Sequence, residues 1–174
     1  NVTVLGSAPE CRKRIDPLSV EGRGEFVVGN VIELPFADRA FDAVVCFRLL
    51  THCNAWIKLV GELCRVSKGP VLVDYPTRAS INAIAPALFA AKKKIERNTR
   101  TWKLFGHREV NHAFELAGFD VAARRKQFAL PMVLHRALKC APLSAALETC
   151  CRACGLTALA GSPVVLLALP KGSR

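Results

Sequence analysis

No apolar run in this sequence approaches the ~20 residues needed to cross a bilayer; stretches such as Ala83 to Ala91 and Val164 to Leu169 are far shorter. No secretory signal is visible and the first residue is Asn1 rather than methionine, so the expectation is a soluble protein whose sequence is entered inside a longer polypeptide. Cys151-x-x-Cys154 has no second CxxC or HxxxH pair to complete four ligands, which leaves no recognised zinc spacing and no expected metal. A thioredoxin-type role fares no better, because this CxxC ends a predicted helix where a redox motif begins one. Acidic residues are scarce, 14 against 25 lysines and arginines, which gives a formal charge of +11. Such an excess is compatible with weak association with nucleic acid or an anionic membrane surface. Few aromatics interleave with the basic runs Lys92 to Lys94 and Arg124 to Lys126, however, so stacking platforms for bases are not apparent. No internal repeat is present.

A chain of 174 residues, 51% of them apolar, has material for one substantial core and not for two. The whole of 1–174 is therefore read as a single domain. Its eight cysteines are irregularly spaced, and several fall in apolar runs where a thiol serves as a small buried hydrophobe. That usage fits a reducing cytoplasm better than a disulfide scaffold. Leu143, Ala146, Leu147, Cys150, Cys151 and Cys154 follow the spacing of one helix face, expected to pack inward on a helix opening at Pro142 and closing at Gly155.

Strand and helix signals alternate along the chain. Val2 to Leu5 ends at Gly6 and is followed by a helix start at Pro9-Glu10; Phe26 to Val28 is closed by Gly29 and Asn30. Asp42 to Phe47 is a nearly continuous apolar run of the kind that suits a parallel strand buried on both faces. A helix capped by Asn54 carries Ile57, Val60 and Cys64 and stops near Gly69, and Pro70 to Tyr75 supplies a fourth strand. Ala79 to Arg97 reads as an inserted helix with an apolar first half and a basic second half. Arg108 to Ala117 is a helix stopped by Gly118, Phe119 to Ala123 resumes as strand, two helices are expected between Pro131 and Cys154, and Val164 to Leu169 is a last strand. Sustained alternation of this kind argues for a parallel sheet with helices on both faces.

The segment Val28-Gly29-Asn30-Val31-Ile32-Glu33-Leu34-Pro35-Phe36, followed by Phe41-Asp42-Ala43-Val44-Val45, resembles the motifs after the third strand and on the fourth strand of class I S-adenosylmethionine-dependent methyltransferases. Leu49-Leu50-Thr51-His52, the helix end Glu62 to Lys68 and Ala117-Gly118-Phe119 are similar to that family's later motifs, in the same order. The joint occurrence over Val2 to Val121 is specific where each piece alone is weak, and small-molecule methyltransferases of the quinone-biosynthesis type are the nearest in pattern. The resemblance implies a Rossmann-like, doubly wound, mostly parallel α/β sheet lacking its first strand, with helical insertions near the C-terminus. In the family that first strand lies between the strands read here at Val2 to Leu5 and Asp42 to Phe47. Insertions 79–97 and 131–161 would then form a substrate cap.

The implied cofactor is S-adenosylmethionine, and in such sheets the ligand lies beyond the carboxyl ends of the strands. Gly6, Asn30 and Cys46 stand at such ends. Asn30 occupies the place of the family's adenine-binding aspartate, Val31 would offer its backbone amide, Phe36 would flank the ring, and Cys46 and Phe47 would run beside the methionine part. Each has a plainer reading: a turn at Gly29-Asn30, and ordinary burial for Phe36, Cys46 and Phe47. His52 is a candidate general base, since an imidazole titrates near neutral pH, or else a loop histidine. Arg48, Asp74 and Tyr75 at strand ends, and His135 among apolar residues, are candidate contacts to the acceptor. His107 and His112 read as ordinary helix residues.

Two features depart from the family pattern. Gly6 stands where an acid normally binds the ribose hydroxyls, and no glycine-rich cofactor loop is present, Gly22-Arg23-Gly24 being a turn before a strand. The implied function is methyl transfer to a hydrophobic small-molecule acceptor. A methyltransferase-like protein without catalysis, and an RNA or nucleic-acid methyltransferase module, are the rival readings.

Overall fold

The structure, a computed structural model, describes residues 1–14, 24–80, 103–130, 134 and 139–172. Strand β1 (Val2–Gly6) pairs in parallel with β2 (Gly24–Val28), and where a helix start was expected after β1 the described residues form a 3-10 turn at Pro9–Arg14. A second sheet has the order β3-β4-β6-β5 and is built from β3 (Val44–Cys46), β4 (Val71–Tyr75), β5 (Phe119–Phe128) and β6 (Ser162–Pro170). β3 and β4 are parallel, while β6 runs antiparallel to both β4 and β5. Half of the pairings are thus antiparallel, which corrects the expectation of a mostly parallel sheet. The physical reason is the hairpin-like return of β6 between β4 and β5, where it completes the ladder of both. Among the described residues β1 and β3 each keep one edge without a strand partner.

Helix α1 (Trp56–Val66) covers one side of β3 and β4 with Trp56, Leu59, Val60, Leu63, Cys64 and Val66, all buried. Its N-cap is Ala55 and not Asn54, and no side chain caps it. Helix α2 (His107–Leu116) adds Val110, Ala113 and Phe114 to the same core, which is completed by Val71, Val73, Tyr75, Phe105, Val164, Leu166 and Ala168. The alternation of buried and half-buried residues along β4 and β6 is what a sheet with a fully covered face produces. Gly118 and Gly155, both with left-handed φ, end α2 and helix α3 (Ala141–Ala153), and α4 (Leu156–Ala160) leads into β6.

Two packing expectations fail. β3 is only three residues long, and Val45 and Phe47 are 61% and 50% exposed, because nothing among the described residues covers that edge and face. On α3 the apolar stripe lies outward: Leu143, Ala146, Cys150 and Cys154 are exposed, and the residue buried under the helix is Glu148. The charge is held there because its carboxylate accepts the backbone N–H groups of Ala129 and Leu130 at 3.1 and 2.9 Å, closing the end of β5. Of the proposed insertions, residues 81–97, 131–133 and 135–138, His135 among them, lie outside the described residues. Among the described residues no helix is long and apolar enough to cross a membrane.

Candidate functional site

The carboxyl ends of β1 and β2 meet at a hydrogen bond from Gly29 N–H to the Gly6 carbonyl, 3.0 Å. Immediately beyond it the chain turns. Asn30 Oδ1 accepts Ile32 N–H at 3.1 Å and the Asn30 carbonyl accepts Glu33 N–H at 3.1 Å, so the asparagine shapes its own loop. Asn30 is exposed, and its carboxamide keeps an acceptor lone pair and both donors. Val31, Ile32 and Leu34 pack against the core and anchor the turn.

Helix α1 clamps the rest of the loop. Glu62 Oε2 accepts Leu34 N–H at 2.7 Å, and Arg65 donates to the carbonyls of Leu34 and Phe36 at 3.1 and 2.9 Å, to Asp38 at 2.7 Å and back to Glu62 at 2.7 and 2.8 Å. The bonds from Arg65 hold the Glu62 carboxyl below the usual carboxylate range. Phe36, half-buried, packs edge-on against Phe41 with centroids 4.9 Å apart. Its place in the loop is thereby fixed by packing on the chain itself.

At the carboxyl end of β3 and β4, Cys46 is buried and its thiol is pushed up to about 12, first by burial and then by Asp74 and Cys53. Phe47 stands exposed beside it. Arg48 has φ of 59°, and its N–H donates to Asp74 Oδ1 at 2.5 Å. His52 closes a 3-10 turn, Leu50–His52, with an exposed side chain. Thr51 in the same turn is buried, donates to the Lys103 carbonyl at 2.9 Å and accepts the Lys103 N–H on its own carbonyl at 3.1 Å. This ties the loop after β3 to the segment that begins α2.

Tyr75 has no exposed surface, so the expectation that it contacts an acceptor is corrected: it is a core residue. Its hydroxyl lies 2.8 Å from His107 Nδ1 and accepts from Arg124 Nε at 3.2 Å, and its ring packs edge-on against Phe105 and His107. Arg124 also donates to Asn111 Oδ1. His107 was legible only as a helix residue, since nothing local announces a partner that lies 32 positions earlier and on another element. The structure therefore groups Arg48, Asp74, Cys46 and Phe47 at the β3 and β4 ends, with His52 in the following turn, and Asn30, Val31 and Phe36 in the loop after β2. Among the described residues no group of three or more His, Cys, Asp or Glu is placed to hold a metal.

Whether the β1–β2 end fits an adenosine can be tested on Gly6. A Cβ there would lie 2.5 and 2.8 Å from ring atoms of Phe26 and 3.0 Å from Cys11 Cβ. The position is thus filled by Phe26, and its carbonyl is engaged by Gly29. Gly6 itself offers no carboxylate at the end of β1. Beyond β2 the exposed Asn30 carboxamide has polar groups of the kind that could pair with an aromatic amine.

A family model for a methyltransferase domain matches residues 6–70. An uncharacterized protein of Methanocaldococcus jannaschii is 27% identical over 110 residues, 62% of this chain, and the chain spans 43% of that protein's length. Among solved structures, magnesium protoporphyrin IX methyltransferase from Synechocystis PCC 6803 with bound SAH is similar over 92% of this chain and 57% of its own, with a TM-score of 0.55 and 11% identity. A methyltransferase in complex with the Haloferax volcanii Trm112 methyltransferase activator is similar over 99% of this chain and 72% of its own, at TM-score 0.63 and 17% identity. At these identities the likeness to solved structures is one of fold. Residues 6–70 thus carry a methyltransferase-domain match, and the chain shares the Rossmann-like α/β fold of these solved structures.

Proposed function

We propose that the protein transfers a methyl group from S-adenosylmethionine to a hydrophobic small-molecule acceptor. The observation that carries this reading is the loop Asn30–Phe36, pinned by Glu62 and Arg65 beyond the end of β2. There Asn30 and Val31 would hold the adenine. Cys46 and Phe47 would border the methionine part, and Arg48, Asp74 and His135 the acceptor, with His52 as general base. Bound at this place, the cofactor supplies a sulfonium methyl, and the protein's work is to orient the acceptor and exclude water. Insertions 79–97 and 131–161 would cap the acceptor within one domain. Their apolar content supports a hydrophobic acceptor over nucleic acid. So does the basic run of β5, where Arg124 is tied to Tyr75 and Asn111, and Lys126 donates to the Leu159 carbonyl at 2.5 Å.

One observation favours a second reading, a methyltransferase-like binding protein without catalysis: Phe26 occupies the space that a ribose-binding acid at Gly6 would need. Isothermal titration of the full-length protein with S-adenosylmethionine, followed by methyl transfer to a panel of hydrophobic phenols, separates the two. Binding with turnover supports the first reading. Absence of binding would remove it.

A further inference from the structure

Arg124 can only donate. Its Nε–H therefore occupies a lone pair of the Tyr75 hydroxyl at 3.2 Å, and the hydroxyl proton must find another acceptor. Tyr75 is wholly buried, and among the described residues the other hydrogen-bond partner of its oxygen is His107 Nδ1 at 2.8 Å. If Nδ1 carried the proton, the tyrosine oxygen would accept twice and its own O–H would be buried without a partner, which is unfavourable. The arrangement that satisfies all three groups runs Arg124 to Tyr75 to His107, with Nδ1 as acceptor. A neutral imidazole in that state carries its proton on Nε2.

Tyr75 is the last residue of β4, and the register sets it level with Val164 of β6 and Lys126 of β5, so His107 belongs to the carboxyl edge where this fold takes its ligands. The ring is half-buried. Arg124 and Lys126 bear on it electrostatically from β5 and, after burial, hold its pKa below the ordinary histidine value. The carboxylate at the start of its own helix, Glu109, is committed to Gly106 N–H at 2.7 Å and to Arg78 at 3.1 Å. A donor N–H beside two cations matches an anionic oxygen.

We propose that His107 is a hydrogen-bond donor to an anionic oxygen, phenolate or carboxylate, on the methyl acceptor, with Tyr75 and Arg124 as the residues that fix its tautomer. With Nε2 protonated and Nδ1 occupied, His107 binds and orients the acceptor and does not serve as its base. This inference rests on the methyl-transfer reading for its ligand, and on hydrogen-bond geometry alone for its tautomer.

The test has two arms on the full-length protein. Long-range 15N spectra of the imidazoles at pH 7.5 should show His107 as the Nε2–H tautomer, and Tyr75→Phe or Arg124→Met should give a tautomer mixture. An Nδ1–H form or an imidazolium in the native protein overturns the proposal. In the second arm, benzoate and phenol are titrated against the protein saturated with S-adenosylmethionine, with uncharged anisole as the comparison. Benzoate should bind at least tenfold more weakly to His107→Phe and within threefold of native to His107→Gln, which retains a donor, while anisole should not discriminate. Equal benzoate affinity in all three proteins, with cofactor binding intact, overturns this inference alone. If S-adenosylmethionine itself fails to bind, the methyl-transfer reading falls and the acceptor role falls with it.

Discussion

Asp74 on β4 accepts the backbone N–H of Arg48 across the end of β3 at 2.5 Å, and Arg48 holds a left-handed backbone at φ 59°. A carboxylate is thus spent on keeping an arginine in a conformation that L-residues disfavour. The bond fixes the first residues beyond β3, where the candidate site opens.

The first expected outcome follows from that pair. Asp74→Ala should lower stability by about 1.5 to 3 kcal/mol, the range for a hydrogen bond to a charged group. Arg48→Gly should raise it by roughly 1 kcal/mol, because glycine removes the left-handed penalty and the N–H that Asp74 uses is retained. Urea unfolding of the two variants checks both signs.

The Glu62–Arg65 clamp has a pH signature. The folded-state pKa of Glu62 is lowered, so its contribution is present above the ordinary carboxylate value and is lost as pH falls through the lower folded value. Arg65→Ala should cost about 2 kcal/mol near neutrality and should flatten that acid limb. Arg65→Lys should behave more like alanine than like arginine, since an ammonium cannot span Glu62, Asp38 and two carbonyls at once. Stability measured from pH 3 to 7 tests this.

Thiol chemistry separates the cysteines. Cys46 and Cys64 are buried and both are pushed up to about 12, whereas Cys140, Cys150 and Cys154 are exposed. A disulfide reagent at pH 8 should label the exposed three rapidly and reach Cys46 and Cys64 only on unfolding. Rapid loss of either buried thiol in the native state would contradict the packing of β3 on α1.

Restoring an acid at Gly6 should not restore ribose binding by itself. Gly6→Asp should destabilise the protein, because its Cβ meets the Phe26 ring, and Phe26→Ala should relieve part of that cost. A double-mutant cycle in unfolding free energy should give a favourable coupling between the two changes. Additive costs would mean that Phe26 does not fill the position.

Much of the fold was legible because helix and strand periods are local: the strand at Val71–Tyr75, the stop at Gly118 and the last strand stand where the pattern put them, and on α1 Val60 and Cys64 are buried as expected while Ile57 faces outward. The direction of β6 was not legible, since antiparallel insertion between β4 and β5 depends on pairing across the chain and leaves no mark on the strand's own apolar run. Burial was misread where composition and environment part. Val45 and Phe47 are apolar yet exposed, and Glu148 is charged yet buried because two backbone N–H groups meet it. The motif after β2 pointed to Asn30 and Phe36, but the Glu62–Arg65 clamp beneath them and the Tyr75–His107 contact are long-range relations that no spacing encodes.

The measurement that tests the central claim most directly is cofactor affinity against Asn30 in the full-length protein. Isothermal titration should show S-adenosylmethionine binding that is retained or tightened in Asn30→Asp, where the loop-shaping oxygen and an acceptor both remain, and weakened at least tenfold in Asn30→Leu. Absence of binding, or equal affinity in native protein and both variants, would contradict the assignment of the loop after β2 to the cofactor.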